Sequence, residues 1–379
     1  MVGKSLGDIV QSTLVTHLSA PSILTDDRWV RPGRVSWSWW SDPASPRNQV
    51  TLRQFVDLAA EMGWEYSLAD ANWTEMEKDA ISNLVQYANS KSVGIILWYN
   101  SGGPHNTVTE KPRDRMFDKD LRRKEFQLLK NLGVKGVKVD FFQSDKQNII
   151  QLYEDILKAA ADFQIMVNFH GCTLPRGWSR TYPHLMSMEA VRGAESYIFD
   201  PLFPKQAPSH NAILPFTRNV VGPMDYTPVA FSNNNYPHLT TAVHELALSV
   251  VFESGWIHFA DRVAAYRNLP DRPRQFLKQV PAAWDELYFV DGAPSRFVVL
   301  ARRKGEQWFI GGINGTPNEK TISIKFDFLH ANTWKMLEIR DGDPQNPFVE
   351  AVRQVKRSDL LEIPMNAYGG FVLHLMPDR

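Results

Sequence analysis

The 379-residue chain lacks the features that mark several classes of protein. Its single cysteine, Cys172, excludes an intrachain disulfide and a zinc site built from cysteines. Its 42 basic residues balance its 42 acidic ones, so no excess of charge favours nucleic acid or an anionic membrane. No apolar run reaches about 18 residues, and the N-terminus lacks the apolar core of a signal peptide. We therefore expect no membrane span and no nucleic-acid partner.

The sequence also has no glycine-rich phosphate loop after an apolar run and no nucleophilic serine on a strand-to-helix turn. Twelve tryptophans, by contrast, are many for this length. Flat apolar rings suit the faces of sugars, although large protein cores use them too.

Short apolar runs alternate with amphipathic segments between about residue 34 and residue 262. Segments with helical spacing lie at 51–63, 80–92, 120–133, 148–163 and 238–254. Buried strands that alternate with helices indicate a parallel sheet, and eight repeats indicate a closed (β/α)8 TIM barrel. An open doubly wound sheet is the structural competitor. The eight predicted strands lie at 34–42, 64–73, 93–100, 136–142, 165–171, 185–193, 219–228 and 254–262.

After residue 287 the pattern changes to short strands separated by turn residues, which predicts a small C-terminal antiparallel β-sandwich. We therefore divide the chain into a linker segment (1–33), a catalytic barrel (34–287) and a β-sandwich domain (288–379). Two long stretches, 101–118 and 203–219, look irregular and follow predicted strands. In a barrel both would lie at the rim where active sites form.

One predicted strand, "GVKVDFF" at 136–142, carries Lys138 and Asp140 two positions apart. Alternate side chains of a strand share a face, so both charges lie on one side, at the catalytic end of the barrel. Asp140 is the strongest candidate for a nucleophile, because a neighbouring cation keeps an aspartate ionised. The alternative is a buried lysine–aspartate pair that only closes the barrel.

Carboxylates and aromatic residues at the other strand ends suit a polyol-like substrate. Glycoside hydrolysis needs two carboxyls that flank the scissile bond, one of them an acid with a raised pKa. Glu189 and Glu195 flank a turn after the sixth strand and are candidates for that acid or for cation ligands, with capping or surface roles as the alternative. The remaining polar or aromatic candidates at strand ends are Trp39, Asp42, Asp70, Trp98, Asn100, Asn168, His170, Asp225, and His258 with Asp261, which equally fit an internal pair.

Four of these side chains, with Trp73, are candidates for substrate binding. His170 and Asp225 suit sugar hydroxyls, whereas Trp39, Trp73 and Trp98 suit a sugar face. The alternative for His170 is a hydrogen-bonded core position and for the tryptophans core packing, whereas proline and glycine around Asp225 place it on a rim loop.

The chain contains five ordered motifs, "GRVSWSWWSD" (33–42), "KVDFF" (138–142), "NFHG" (168–171), "MSMEAVRGAE" (186–195) and "GPMDYTP" (222–228). Together they resemble glycoside hydrolase family 97, and the resemblance covers nearly the whole chain. That family comprises retaining α-galactosidases and inverting α-glucosidases of bacteria, with an N-terminal β-sandwich, a (β/α)8 barrel, a small C-terminal β-domain and calcium in the active site.

The resemblance implies a retaining, exo-acting α-galactosidase that works through a covalent glycosyl-enzyme. Asp140 matches the nucleophile of the retaining branch, and Glu195 matches the general acid. The inverting branch uses a glutamate near the "NFHG" segment, where this chain has Gly171. Two carboxyls about 5–5.5 Å apart are expected of a retaining enzyme, and about 6.5 Å or more of an inverting one.

The resemblance also implies a ligand set. Glu189 and Glu195 look like calcium ligands, and the substrate would be an oligosaccharide or other galactoside. Contacts to the sugar are implied for Lys138 and His170, and they join Trp98 and Asp225 as substrate-binding candidates.

The chain departs from the family at its start, where residues 1–33 resemble the linker that follows the N-terminal sandwich. Without that sandwich we expect weaker calcium binding. The family's periplasmic or secreted location in Gram-negative bacteria is expected here too, and the sequence leaves the oligomeric state open. The alternative functions are an inverting α-glucosidase, an inactive sugar-binding remnant and a metal-dependent barrel hydrolase, although the last needs more histidines at strand ends.

Overall fold

The computed structural model describes residues 3–330 and 333–378. A sheet of seven parallel strands lies at the centre of the first two-thirds of the chain: β1 (Gly33–Trp37), β2 (Tyr66–Ala69), β3 (Gly94–Asn100), β4 (Gly136–Asp140), β5 (Met166–Phe169), β6 (Leu185–Met188) and β7 (Trp256–Phe259). Their order is β6-β5-β4-β3-β2-β1-β7, so β7 pairs with β1. Every residue of these strands is buried, because side chains fill the interior and helices cover the outside. The predicted TIM-type barrel is confirmed.

The strand predicted at 219–228 is wrong in its extent. Met224 forms a single parallel bridge with Met188, and its N–H donates to the Glu253 carbonyl at 2.7 Å. Pro223 and Pro228 lack the N–H groups that a longer ladder would need. This short extended segment nevertheless lies between β6 and β7, where an eighth strand would close the barrel.

The helices surround the sheet. Four predicted helices are confirmed, each end within two residues of its prediction, and the prediction at 238–254 contains a shorter helix. The α-helices of the described residues are α1 (Leu6–Val10), α2 (Leu14–His17), α3 (Gln49–Met62), α4 (Ala80–Ser90), α5 (Lys119–Leu132), α6 (Gln147–Phe163), α7 (Trp178–Thr181), α8 (Ser196–Phe199), α9 (Phe203–Ile213), α10 (Ala242–Val251), α11 (Val263–Arg267) and α12 (Asp271–Gln279).

The rim stretch 203–219 was predicted to be irregular, and that prediction is wrong. It consists of α9 followed by 3-10 turns at Leu214–Phe216 and Asn219–Val221. Its prolines suggested a loop, but Pro204 lies in the first helical turn, where its missing N–H has no intrahelical partner to lose. The stretch 101–118, by contrast, has no helix or strand up to its last residue, as predicted.

The C-terminal part consists of two antiparallel sheets. The strands are β8 (Glu286–Ala293), β9 (Phe297–Lys304), β10 (Gln307–Asn314), β11 (Lys320–Lys325), β12 (Thr333–Asp341), β13 (Phe348–Lys356), β14 (Leu360–Met365) and β15 (Gly370–Pro377). Six of them form a sheet in the order β13-β12-β15-β10-β9-β8, and β11 pairs with β14 in the second sheet. The boundary predicted between residues 287 and 288 falls inside β8.

Alternation along β9 explains how this sandwich attaches to the barrel. Phe297 and Val299 face the core between the two sheets, whereas Val298 and Leu300 join the core of the barrel. The buried helix α10 lies against the same face, and a Cβ on Gly311 would meet Val250 at 2.9 Å. The six-stranded sheet is therefore apolar on both faces, and glycine permits its close contact with α10.

The segment predicted as a linker forms α1 and α2. Gln11 accepts a hydrogen bond from the Phe289 N–H at 2.7 Å, which ties this segment to β8. No helix of the described residues is both long and apolar enough to cross a membrane.

Candidate active site

Charged side chains gather at the C-terminal end of the barrel in two layers. The lower layer consists of Asp70, Lys138, Asp225 and His258, each with a side chain at most 4% exposed. The upper layer consists of Asp140, Glu189 and Glu195, which lie nearer the opening, and His170 contacts both layers. The depth difference follows from β4, where Lys138 precedes Asp140 by two residues on the same face.

In the lower layer Lys138 pairs with Asp70. The sequence had suggested Asp140 as its partner instead. The ammonium Nζ donates to Asp70 Oδ2 at 3.0 Å and lies 4.7 Å from the centre of the Trp37 ring. The Trp37 indole donates to the same Asp70 oxygen at 2.7 Å. Burial lowers the pKa of Lys138, but Asp70 and the other nearby carboxylates outweigh it and raise that pKa. Lys138 is therefore a fixed cation under the upper layer.

The second part of the lower layer surrounds Asp225. Its Oδ2 lies 2.7 Å from His170 Nε2 and 2.8 Å from His258 Nδ1, and it accepts a 2.5 Å bond from Asn168 Nδ2. Burial alone would raise the pKa of Asp225, but the two histidines hold it well below its usual value. Because Asp225 is fully buried, it orients the rings around it. A direct contact to sugar stays a prediction.

His258 and Asp261 do not form the internal pair that was one of the alternatives. His258 contacts Asp225, whereas Asp261 accepts hydrogen bonds from the N–H groups of Phe231 and Ser232, both at 2.7 Å. Asp261 therefore orders the loop before α10.

Asp140 ends β4 with both of its carboxylate oxygens engaged by neutral donors. The Phe141 N–H donates to Oδ1 at 2.7 Å, and the Trp98 indole donates to Oδ2 at 3.1 Å. Trp98 is 1% exposed, so its ring supports Asp140 and offers no open face to a sugar. Two fixed donors orient the carboxylate while leaving it free of a covering cation, which suits a nucleophile.

Gly171 fills the space beside this carboxylate. Its φ is +49°, and a Cβ there would meet Phe141 N at 2.8 Å and Asp140 Oδ1 at 2.9 Å. The Gly171 N–H donates to Glu189 Oε2 at 2.8 Å. Glycine is required here because any side chain would strain the backbone and collide with Asp140. A glutamate side chain at position 171 would be incompatible with Asp140 in this position.

Glu189 and Glu195 form the other side of the upper layer. One oxygen of each lies 3.6 Å from His170 Nδ1, and Oε1 of Glu195 is buried without a hydrogen-bond partner. Burial raises the pKa of Glu195 to about 8; Lys138 opposes that shift and Glu189 adds to it. A carboxyl that keeps its proton at neutral pH can act as a general acid.

His170 links the two layers as a cation. Burial and the Lys138 ammonium lower its pKa. The carboxylates of Glu189 and Asp225 outweigh both and raise that pKa to about 9. His170 therefore offsets part of the negative charge that the upper layer concentrates.

The two glutamates beside this charged histidine are the candidate metal ligands. Ligand atoms of His170, Glu189 and Glu195 lie within 4.8 Å of one another. The unpartnered oxygen of Glu195 and the two converging carboxylates suit a hard cation with oxygen ligands. These residues fit calcium, although two carboxylates are fewer than the six to eight oxygens it takes in all.

Other predicted aromatic residues lie around the site. Trp39 is half-buried and stacks on Trp37 with ring centres 5.8 Å apart, whereas the Trp73 indole donates to the Trp98 carbonyl at 2.8 Å. Asn100 is buried and accepts hydrogen bonds from Gly102 and Asn106 in the loop that follows β3. Of these residues, Trp39 has the ring placed best for contact with a ligand.

A separate groove of about 500 Å³ opens at the opposite end of the barrel. It is lined by the first residues of three strands, Tyr66, Gly94 and Met166. In TIM barrels this end serves stability and the carboxyl ends of the strands carry chemistry. The two charged layers, and not this groove, are therefore the candidate active site.

Sequence reasoning missed two contributors to the site and gave a third no specific role. Asp70 was a strand-end candidate without a role, Trp37 was not singled out, and Gly171 was noted only for lacking a carboxylate. The polar end of "YSLAD" was a signal for Asp70. No local pattern shows that Trp37 and Lys138 converge on it from different strands.

Comparisons with known proteins agree with this architecture. A profile described as glycoside hydrolase 97 matches residues 29–191, and one described as glycosyl-hydrolase 97 C-terminal, oligomerisation, matches residues 283–376. The chain belongs to glycoside hydrolase family 97. A protein of Streptomyces bingchenggensis named "Probable retaining alpha-galactosidase" is 35% identical over 100% of this chain and 58% of its own length. The retaining alpha-galactosidase of Bacteroides thetaiotaomicron is 31% identical over 98% of this chain and 56% of its own length.

A solved structure with the same fold is named for a different substrate. The crystal structure of a beta-arabinopyranosidase superposes with a TM-score of 0.91 at 35% identity, covering 99% of this chain and 60% of that one. A family 97 enzyme of Pseudoalteromonas sp. strain K8, in complex with acarbose, has a TM-score of 0.86 at 26% identity, covering 100% of this chain and 65% of that one. The chain thus spans rather more than half the length of these relatives.

Proposed function

We propose that the chain is a retaining, exo-acting α-galactosidase. The observation that carries this proposal is the pair formed by Asp140, held by two neutral donors, and Glu195, whose pKa is raised to about 8. A nucleophilic carboxyl and a protonated carboxyl at a barrel mouth are the two groups that a retaining glycosidase needs. The names of the two curated relatives support the choice of galactose.

In the first step, an Asp140 oxygen attacks the anomeric carbon and displaces the leaving group. Glu195 gives its proton to the departing oxygen, so the leaving group departs as an alcohol and Glu195 becomes a carboxylate. In the second step, Glu195 takes a proton from water, and the water oxygen replaces Asp140 at the anomeric carbon. Two inversions give net retention, which requires the two carboxyls to lie about 5–5.5 Å apart.

The residues under and beside the pair would position the sugar. Lys138 is a fixed cation held by Asp70, and His170 is a charged donor held by Asp225. Both are suited to sugar hydroxyls that reach the floor of the site. Charge-assisted hydrogen bonds of this kind are about twice as strong as neutral ones.

We further propose calcium as the cation of Glu189 and Glu195. A bound calcium ion would offset the mutual repulsion of the two carboxylates and offer coordination positions to sugar hydroxyls. The remaining ligands would come from water, from substrate or from other polypeptide. A periplasmic or secreted location stays a prediction of the family resemblance.

The beta-arabinopyranosidase structure supports a second candidate substrate. β-L-Arabinopyranosides have the ring configuration of α-D-galactopyranosides and lack only the hydroxymethyl group at C5. The same nucleophile and acid would serve either glycoside. An inverting α-glucosidase is disfavoured, because Gly171 leaves no room for a glutamate beside Asp140.

The test is hydrolysis of p-nitrophenyl α-D-galactopyranoside, compared with the β-L-arabinopyranoside and the α-D-glucopyranoside. We expect the galactoside to have the highest kcat/KM, with and without calcium. Asp140→Asn is the control, and its kcat/KM should fall by a factor on the order of 10⁴ or more, because the nucleophile is removed.

Each alternative has its own outcome. A higher kcat/KM for the arabinoside would reassign the substrate and keep the mechanism, and preference for the glucoside would contradict the assignment. Turnover of none of the three, with or without calcium, would leave sugar binding as the better description.

A further inference from the structure

An aromatic row leads from the floor of the site to its outer edge. The Trp37 ring, whose indole holds Asp70, stacks on Trp39 with ring centres 5.8 Å apart and planes 15° apart. Trp39 in turn lies 6.1 Å from the Phe199 ring at 41°. The three rings therefore connect the buried pair of Asp70 and Lys138 with the surface.

The outer end of this row lies next to the general acid along the chain. Glu195 immediately precedes α8, and Phe199 is the last residue of that single helical turn. The Trp40 indole donates to the Ala194 carbonyl at 2.9 Å, so the segment after β1 is fixed against the residue before the acid. Trp39 and Phe199 are thus held on the same side of the site as Glu195.

The chemistry of the reaction decides what lies on that side. Glu195 protonates the oxygen of the leaving group, so the leaving group extends from the glycosidic bond past the acid and away from Asp140. Phe199 is 65% exposed and Trp39 is half-buried. A single exposed apolar residue is ordinary. Here, however, the exposed Phe199 ring continues an ordered aromatic row beside the acid.

We propose that Trp39 and Phe199 form the subsite for the leaving group and that this subsite selects leaving groups containing a ring. The ring would be an aryl group or the pyranose of a second sugar, since both offer a flat apolar face to an aromatic side chain. Alkyl galactosides would occupy the galactose position alone. This inference rests on the proposed function, because it takes Glu195 as the acid.

The test measures binding in the Asp140→Asn background, which prevents turnover. Isothermal titration with methyl α-galactoside, phenyl α-galactoside and melibiose, whose leaving group is glucose, separates the galactose position from the leaving-group position. We expect phenyl α-galactoside and melibiose to bind about 2- to 10-fold tighter than the methyl glycoside. Phe199→Ala should reduce that preference to near unity without changing the methyl affinity, and Trp39→Leu should also reduce the preference.

Leu360→Ala is the matched control, because Leu360 is 59% exposed on β14 of the C-terminal part and should leave all three affinities unchanged. If the variants lose the preference for melibiose alone, the ligand of the subsite is a second sugar. If they lose the preference for the phenyl glycoside alone, the ligand is an aryl group. Equal binding of all three glycosides to the parent protein would overturn the subsite and leave the proposed function standing. If none of them binds, the proposed function fails, and the subsite fails with it.

Discussion

The two charged layers at the barrel mouth differ in how their charges are matched. In the lower layer, Lys138 and Asp70 are each 4% exposed and lie 3.0 Å apart. In the upper layer, Glu189 and Glu195 are 21% and 24% exposed, share one histidine at 3.6 Å and include a buried oxygen without a partner. The Lys138–Asp70 pair is satisfied within the protein, although Asp225 Oδ1 and His258 Nε2 of the same layer have no hydrogen-bond partner. The upper layer is complete only when something else enters it.

This difference separates positioning from chemistry. A buried charge must be paired and hydrogen-bonded, and Lys138 with Asp70 meets that requirement at the floor of the barrel. Burial, with a smaller contribution from Glu189, raises the pKa of Glu195 to about 8, which makes it an acid at neutral pH. The floor thus fixes where the sugar lies, and the upper layer supplies the reacting groups.

The largest expected effect comes from removing the upper-layer acid. Glu195→Gln keeps the shape of the side chain and removes its proton, so hydrolysis of alkyl α-galactosides should fall about 10²- to 10⁴-fold. A galactoside with 2,4-dinitrophenolate as leaving group needs little protonation and should lose much less. Steady-state kinetics on both substrates check this. Equal losses would mean that Glu195 is not the acid.

The next effect tests whether the lower layer is structural. Lys138→Met removes one partner of a buried pair and leaves Asp70 as an uncompensated charge, which should reduce the free energy of unfolding by about 3–5 kcal/mol. Denaturant titration measures it. Lys304→Met breaks the exposed pair with Asp285, at the same 3.0 Å, and should cost less than about 1 kcal/mol. Similar losses in both variants would contradict the contrast between layers.

Sequence reasoning identified the charged residues of the mouth, because strand periodicity and strand ends are local properties. It placed Lys138 and Asp140 correctly on one face of β4. It did not find the partner of Lys138, because Asp70 lies 68 residues earlier, at the end of β2, and reaches the lysine across the barrel interior. Contacts that depend on closure of the barrel have no local signal.

The same limit explains the errors in the fold. Prolines in the stretch 203–219 favoured a loop locally, whereas packing of α9 against the barrel and the C-terminal sheet stabilises a helix. The seventh predicted strand was inferred from apolar residues, but Pro223 and Pro228 restrict its pairing to one bridge at Met224. The crowding at Gly171 depends on atoms of another strand and could not be read from its own segment.

A smaller effect tests the packing of the upper layer. Gly171→Ala would displace Asp140 or Phe141, so we expect a fall in kcat of about 10²-fold, as for an approximately 1 Å misplacement. Gly63→Ala is the matched control, because Gly63 also has a positive φ (+65°) but nothing within 4 Å of its added Cβ. That control should cost about 1 kcal/mol of stability and no activity. Loss of activity in Gly63→Ala alone would contradict the role of Gly171.

The smallest effect concerns pH and calcium. The raised pKa of Glu195 means that the acid is protonated below about pH 8, so kcat/KM should fall as the pH rises through that value. Added calcium favours the ionised form of Glu195 and should move this fall in kcat/KM to lower pH. A pH profile with chelator and with calcium checks both statements. A limb that persists unchanged in Glu195→Gln would assign the titration to another group.

The stereochemistry of the first product tests the central claim most directly, namely that Asp140 attacks the sugar and Glu195 serves first as acid and then as base. Proton NMR, recorded during hydrolysis of p-nitrophenyl α-galactoside and before mutarotation, distinguishes the two anomers of galactose. The account predicts that α-galactose appears first, as double inversion through a glycosyl-enzyme requires. β-Galactose as the first product would mean direct attack by water and would contradict the assignment of Asp140.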